Sequence, residues 1–482
     1  APKFPMPPLL RTILTTSFKK NLLNTTSVEN VSKTLTAVCL GGIFDHIGGG
    51  FARYSTDEYW LVPHFEKMLY DNAQLIELLS VLNLLKPSAL YKDRVEKTLA
   101  WLQNEMRLKA RGGSAYFSAI DADSEGKEGL YYIWEYDEIL NILKDDFTNF
   151  KKEYGLQEGG NWESKIIINR INKNSKDEVK YDVSSKNKKL LSKLLNVRNK
   201  KPSPEIDKKI LTDWNAMLIV GFLRAYTSFD NPEYLKEAKN IMSYILENHY
   251  VGDELYHSSC NGVLGALATI DDYAFLIKAA LTFYELENNN EDYLLAKKLQ
   301  KSVFKKFFDQ KSLGFFYSDM SKNDLFVMNK NNNDNVIQSG SGLMLENIYR
   351  LFFYSGDKKS LELVEKTVRS GWGGVMKNPI SYTSFLNVVC LMLDGYQIVV
   401  LKKNDYFGSL IQNVLAKTLP FVLVNYVEDP NSVPKDSPAY NKGFKNNCTT
   451  VYVCSGFTCS SPMINIEDMK DWFKKNTLLD LF

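Results

Sequence analysis

No apolar run in the 482 residues approaches the roughly 18 to 20 that a membrane-spanning helix needs, so no segment reads as a span. Neither sign of charge is in excess. With 59 basic and 57 acidic residues the formal net charge is +2, which gives no electrostatic reason to expect nucleic acid or an anionic membrane as partner. Cysteine is sparse. The six, Cys39, Cys260, Cys390, Cys448, Cys454 and Cys459, are spread too thinly for a disulfide-stapled scaffold. Histidine is scarcer still, and the four present, His46, His64, His249 and His257, leave little room for chemistry built on paired imidazoles. There is no signal-peptide pattern and no starting Met. Sequons at Asn24, Asn30 and Asn447 arise easily in so Asn-rich a chain, and an intracellular setting is expected over a secreted one.

Helical periodicity fills most of the chain. Segments of about 12 to 20 residues recur from Val28–Leu40 through Phe65–Leu85, Tyr136–Phe150, Trp214–Ser228 and Asp272–Asn288 to Tyr382–Leu393. After Leu393 the pattern changes to β-type runs, at Gly395–Leu401, Phe421–Tyr426 and Thr449–Val453, with helices between and after them. This predicts a large α-helical domain over 1–393 and a small α/β subdomain with a few parallel strands over 394–482. Polar Asn- and Lys-rich stretches around 169–201 and 330–335 read as insertions.

One stretch concentrates chemistry: GGIFDHIGGGFARYSTDEYWLVPHFEKMLYDNAQLIELL, from Gly41 to Leu79. Three consecutive glycines allow close backbone approach. From Phe65 the spacing turns helical, with Phe65, Met68, Leu69, Ala73 and Ile76 on the apolar stripe and Glu66 and Tyr70 together on the neighbouring face. Sugar chemistry needs carboxyl groups as acid and base and aromatic faces against the ring. Asp45, His64 and Glu66 are therefore candidate catalytic groups, and Arg53, Tyr54, Trp60 and Tyr70 candidate substrate contacts. The structural alternative is that Asp45 and His64 fasten the loop while Trp60 and Tyr70 pack in the core.

Asp121 and Asp123, between two aromatic runs, are a second carboxylate pair of candidate acids; the terminal glutamate of a calcium loop is missing, and no metal is expected. Asp213-Trp214-Asn215 and Asp271-Asp272-Tyr273 each open an amphipathic helix. Capping accounts for one acid at each start; beyond that, Asp271 is a candidate catalytic acid, and Trp214, Asn215, Asp272 and Tyr273 are candidate substrate contacts. Cys454 and Cys459 stand in a C-x4-C arrangement after a strand, either two buried cysteines in a loop or a reversible redox disulfide.

The Gly41–Leu79 stretch, with APKFP at the start, SAIDADSEGKEGLYYIW from Ser118, KILTDWNAMLI from Lys209, ATIDDYAFLI from Ala268 and VYVCSGFTCSSP from Val451, resembles the blocks of the spermatogenesis-associated thioredoxin-domain proteins, in the same order. The resemblance implies a mainly α fold: an (α/α)6 toroid of six helical hairpins, similar to N-acylglucosamine 2-epimerases and several glycosidases, followed by the small α/β subdomain. It also implies that a thioredoxin-like domain normally precedes APKFP. The chain departs from the family pattern at Gln338, Ser341, Glu205 and His46. The function implied is processing or binding of a small sugar ligand in the funnel of the toroid by carboxylate acid/base chemistry, without a cofactor. A glycoside hydrolase or a sugar epimerase fits. The alternative is a non-catalytic interaction module that works beside a thioredoxin-like domain.

Overall fold

In the computed structural model, residues 2–19, 22–171, 185–321, 326–415, 422–431, 433, 435, 437, 439–455 and 458–478 are described. They form two compact units: residues 1–7, 29–248 and 259–264 in the first, and 8–28, 249–258 and 265–482 in the second. No helix among the described residues is long and apolar enough to cross a membrane.

Both units are built from paired helices, so the mainly α class expected from the sequence is the one observed. In the first, Leu69–Leu85 pairs with Ala89–Trp101 and Thr212–Phe229 with Pro232–Asn248. Leu69–Leu85 and Thr212–Phe229 lie against each other. They are rich in apolar residues on every side, and every residue from Leu69 to Leu82 is buried, the polar Asp71, Asn72, Gln74, Glu77 and Ser80 included, as happens in a helix surrounded by protein. Gly221 allows the close approach: a Cβ there would sit 3.0 Å from the Ala73 carbonyl. The second helix of each pair is one-sided, with only Tyr234, Glu237, Ala238, Ile241, Met242, Tyr244 and Ile245 buried on Pro232–Asn248.

The second unit repeats the plan with Ile270–Glu287 and Asn290–Lys306, then Gly340–Ser355 and Lys358–Lys377. Arg11 grips Glu346 inside it with two guanidinium hydrogen bonds of 3.0 and 3.2 Å. Four strands follow. Val422–Val427 pairs parallel with Tyr396–Leu401, Tyr396–Leu401 antiparallel with Thr450–Ser455, and Thr450–Ser455 antiparallel with Thr458–Cys459. The sheet is therefore mixed, where a few parallel strands were expected.

Three hairpins turn by the same device. Asp230-Asn231, Asn288-Asn289 and Gly356-Asp357 each join two helices with two residues. The first takes left-handed backbone, with φ of 53°, 54° and 70°, and its N–H closes onto the carbonyl of Tyr226, Tyr284 or Phe352. The second caps the next helix, each side-chain oxygen accepting an N–H two residues on at 3.1 Å. Asn, Asp and Gly are the residues that tolerate the first position, and Asn and Asp suit the second.

Two sequence expectations need correction. The helix expected over Phe65–Leu85 begins at Leu69, because Lys67–Met68 is drawn into a short antiparallel pairing with Ala119–Ile120. Glu66 therefore precedes the helix and does not share a helical face with Tyr70. The helix expected over Tyr136–Phe150 is two, Tyr136–Leu143 and Phe147–Tyr154, with a 3-10 turn between. Of the polar stretch 169–201, residues 172–184 lie outside the described residues, Asn169 and Arg170 are buried, and Ser185–Arg198 is helical.

Candidate functional site

Asp45 is the anchor of the Gly41–Leu79 loop. Its carboxylate accepts from the Ile47 and Gly48 N–H groups at 3.0 and 2.9 Å, from Arg198 Nη1 at 2.9 Å to both oxygens, and from Lys67 Nζ at 2.9 Å. Burial alone would raise its pKa, but Arg198 and then Lys67 outweigh burial and hold the carboxyl well below the usual range. Lys67 moves the other way: its burial exceeds the pull of Asp45 and lowers its pKa. The favourable balance of the cluster thus rests on Arg198. The glycine run makes room for it, since a Cβ on Gly48 would lie 1.9 Å from Arg198 Nη2, and Gly50, at φ +82°, runs against the Trp101 ring. Beside the cluster is a cavity of about 360 Å³, lined among others by Trp101, Glu105, Tyr131, Tyr132 and Asn199.

A second group gathers at the start of helix Leu69–Leu85. Arg53 Nη1 lies 3.4 Å from Glu66 Oε2, and His64 Nε2 is 3.6 Å from the same oxygen. His64 Nδ1 meets Glu128 at 2.6 Å, and the Tyr54 ring stacks on the imidazole at 4.9 Å. Tyr70 sets its ring edge to Trp214 at 4.8 Å. Asp71 is the group that sequence reasoning passed over. It is 4% exposed, and burial pushes its pKa well above the carboxylate range despite the opposing charge of Arg53. Burial, and then the Asp71 charge, also raises Tyr70. Arg53 Nε, Tyr70 Oη and Asp71 Oδ2 are all buried and make no hydrogen bond of good geometry.

In the second unit, Asp272 closes a capping box with Thr269, accepting its N–H at 2.8 Å and its hydroxyl at 3.1 Å. His257 Nδ1 lies 3.0 Å from the same carboxylate. Capping accounts for Asp272 and leaves Asp271 unexplained. Asp271 accepts the Gly340 N–H at 2.8 Å, and a Cβ on Gly340 would lie 2.2 Å from its oxygen. Burial first, and the Asp272 charge second, push Asp271 up to about 7.

The remaining sequence candidates are dispersed. Trp60 is 3% exposed with φ of 65°, beneath the Lys3 ammonium, a fastening geometry for a residue that rarely adopts such backbone. Asn215 spends its amide on the Tyr116 N–H and carbonyl, at 2.8 and 3.0 Å. Asn72 does the same for Phe51, at 2.7 and 3.0 Å. Replacing Asn215 with Ala strands two buried backbone groups, and a loss of about 2–3 kcal/mol is expected in urea unfolding, with Asn72→Ala similar. Tyr273 is packed against Phe307, and Asp121 and Asp123 are exposed beside the Asp123–Ser124/Lys127–Glu128 hairpin. His46 is buried, donating from Nε2 to the Gly41 carbonyl at 2.9 Å; burial, then Arg94, lowers its pKa well below the usual value, so its imidazole is neutral. Cys454 and Cys459 are joined as a disulfide across a strand pair, and only Cys454 is buried, which corrects the expectation of two buried cysteines.

No family model matches the chain. It is 26% identical, over 96% of its length, to human spermatogenesis-associated protein 20, and 27% identical to the mouse protein over the same share. The chain is similar to the spermatogenesis-associated proteins. It spans 65% of the length of those two mammalian proteins. An uncharacterized protein of Caenorhabditis elegans is also 26% identical, over 98% of this chain and 70% of its own length. Similar solved structures include a family 76 glycoside hydrolase (mannosidase) of Bacteroides thetaiotaomicron, 10% identical with a TM-score of 0.46 over 80% of this chain and 84% of that one. Cellobiose 2-epimerase of Bacillus thermoamylovorans is 11% identical with a TM-score of 0.46, over 78% and 76%.

The shared Asn-Ala of Tyr70-Asp71-Asn72-Ala73 and Asp213-Trp214-Asn215-Ala216 marks the two helix starts as matching, with Asp71 at the position that Trp214 takes in the neighbouring buried helix. Arg198 had no such signal: it lies 153 residues from Asp45, at the end of a polar helix.

Proposed function

We propose that the chain binds and processes a carbohydrate with carboxyl groups as proton donors and acceptors. The observation that carries this reading is the trio Arg53, Tyr70 and Asp71, gathered at one helix start with the tyrosine hydroxyl interacting with both charged groups, while Arg53 Nε, Tyr70 Oη and Asp71 Oδ2 are buried and make no hydrogen bond of good geometry. A hydroxylated ligand supplies both donors and acceptors to such a group. Half-buried Trp214 and the Tyr70 ring offer faces for the C–H side of a sugar. Asp71, whose carboxyl burial pushes toward the protonated form, is the proposed proton donor of this group, and Glu66, paired with Arg53, the acceptor. In the second unit Asp271, at about 7, is poised to give or take a proton at neutral pH.

The test is proton NMR in D2O with aldoses, N-acyl sugars and disaccharides, following anomeric signals and exchange of the C2 proton. New anomeric signals define a hydrolase, and C2 exchange an epimerase or isomerase. Either is expected to fall at least 100-fold in Asp71→Asn, which keeps shape and removes the acid. No change with any sugar, from folded protein, overturns the reading.

The interaction-module alternative has one observation of its own, the Cys454–Cys459 disulfide with Cys459 exposed. Reduction by a thioredoxin far faster than by an equal concentration of dithiothreitol would favour it.

A further inference from the structure

The second unit contains a cavity of about 190 Å³ between the start of helix Gly340–Ser355, the later half of Lys358–Lys377 and the segments 312–315 and 330–332. Two of the hydroxyls in its wall are unusual. Ser341 is 1% exposed and Thr367 4%, yet neither Ser341 Oγ nor Thr367 Oγ1 has a hydrogen-bond partner. A helical threonine commonly bonds back to the carbonyl one turn earlier; Thr367 does not. Each orphaned hydroxyl costs about 1–3 kcal/mol unless something inside the cavity pairs with it. At about 30 Å³ for each water, there is room for roughly six water molecules, or for one small ligand.

The walls state what that ligand would be. Phe315, Leu345 and Phe385 are 0–1% exposed and give an apolar surface, while Ser341, Thr367 and Ser370 bring hydroxyls. The charged wall residue is Lys330, and its ammonium is fully engaged. It lies 2.9 Å from Asp309 Oδ2 and donates to Ser312 Oγ at 2.6 Å and the Leu313 carbonyl at 2.7 Å, which uses its three N–H bonds and balances its charge. An anion would therefore find no uncommitted ammonium, and a cation no carboxylate in the wall.

We infer that this cavity is a binding site for a small neutral polyol or single sugar ring, whose hydroxyls pair with Ser341 and Thr367 while its carbon skeleton lies against Phe315, Leu345 and Phe385. The site does not rest on the Asp71 group, and it does not require the chain to be an enzyme.

Saturation-transfer NMR and thermal shift with sorbitol, myo-inositol, glucose and mannose test it on the full chain. At least one is expected to bind saturably, at least tenfold more weakly in Thr367→Val and Ser341→Ala. Thr367→Ser should restore the affinity. Valine is close in shape to threonine and removes an unpaired hydroxyl, so the variant is expected to fold; circular dichroism checks this. Binding of none of the four, binding indifferent to both substitutions, or a crystal structure soaked in the four with only water in the cavity would each overturn the site.

Discussion

Asp271→Asn is expected to make the protein more stable, by an amount that grows with pH. The buried carboxyl titrates near 7 when folded, against about 3.9 in an unfolded chain. A carboxyl whose folded pKa is raised withdraws stability as pH climbs through that window, here from about 4 to 7. The full loss is on the order of 4 kcal/mol above pH 7. Asparagine keeps the oxygen that accepts the Gly340 N–H and cannot ionise. Urea midpoints of the two proteins should nearly coincide at pH 4 and separate by pH 8. A difference that does not change with pH would show that Asp271 ionises like an ordinary carboxylate. If Asp271 also moves a proton in catalysis, the stabilised variant loses activity as it gains stability, the exchange expected where an active-site acid is held in an unfavourable state.

Asp45→Ala is expected to do the opposite. Removing one partner from a buried ion cluster leaves Arg198 and Lys67 unpaired, a loss of about 3–5 kcal/mol. The pH trend also reverses. A carboxyl whose folded pKa is depressed contributes above its unfolded value, near 3.9, and loses that contribution only as pH falls toward the folded pKa. The gap between wild type and Asp45→Ala should therefore be widest at neutral pH and narrow below about 4. A fully restored midpoint in Asp45→Ala combined with Arg198→Met and Lys67→Met would attribute the loss to the stranded cations.

The helices were legible because their ends are written in local chemistry. Asp230-Asn231, Asn288-Asn289 and Gly356-Asp357 mark turns that need no distant partner, and the leucine-rich stretch Leu75–Leu82 reads as core from its composition. What was not legible depends on pairings remote in sequence. Lys67–Met68 left the helix for Ala119–Ile120, some fifty residues on, and that pairing separates Glu66 from Tyr70. Asp45 looked like a candidate acid until Arg198 arrived beside it. At the helix starts the residue types were visible but not their partners. Asp272 and Asn215 turned out to be engaged with Thr269 and Tyr116, while Asp71 and Asp271 were left in buried surroundings that raise their pKa, Asp271 to about 7.

The two-residue turns bear on how such a chain can change. At that end of a hairpin there is no slack: one inserted residue would displace either the left-handed position or the cap, and the helices would lose their register. The opposite ends are joined by connections such as 307–339, which carry Lys330 and the wall of the polyol cavity. Each of these three hairpins therefore has a fixed hinge and an open margin, so the longer connections could be exchanged between relatives as cassettes while the helices stay put. New ligand specificity in this architecture is most cheaply acquired at that margin, with the turns already settled by six residues.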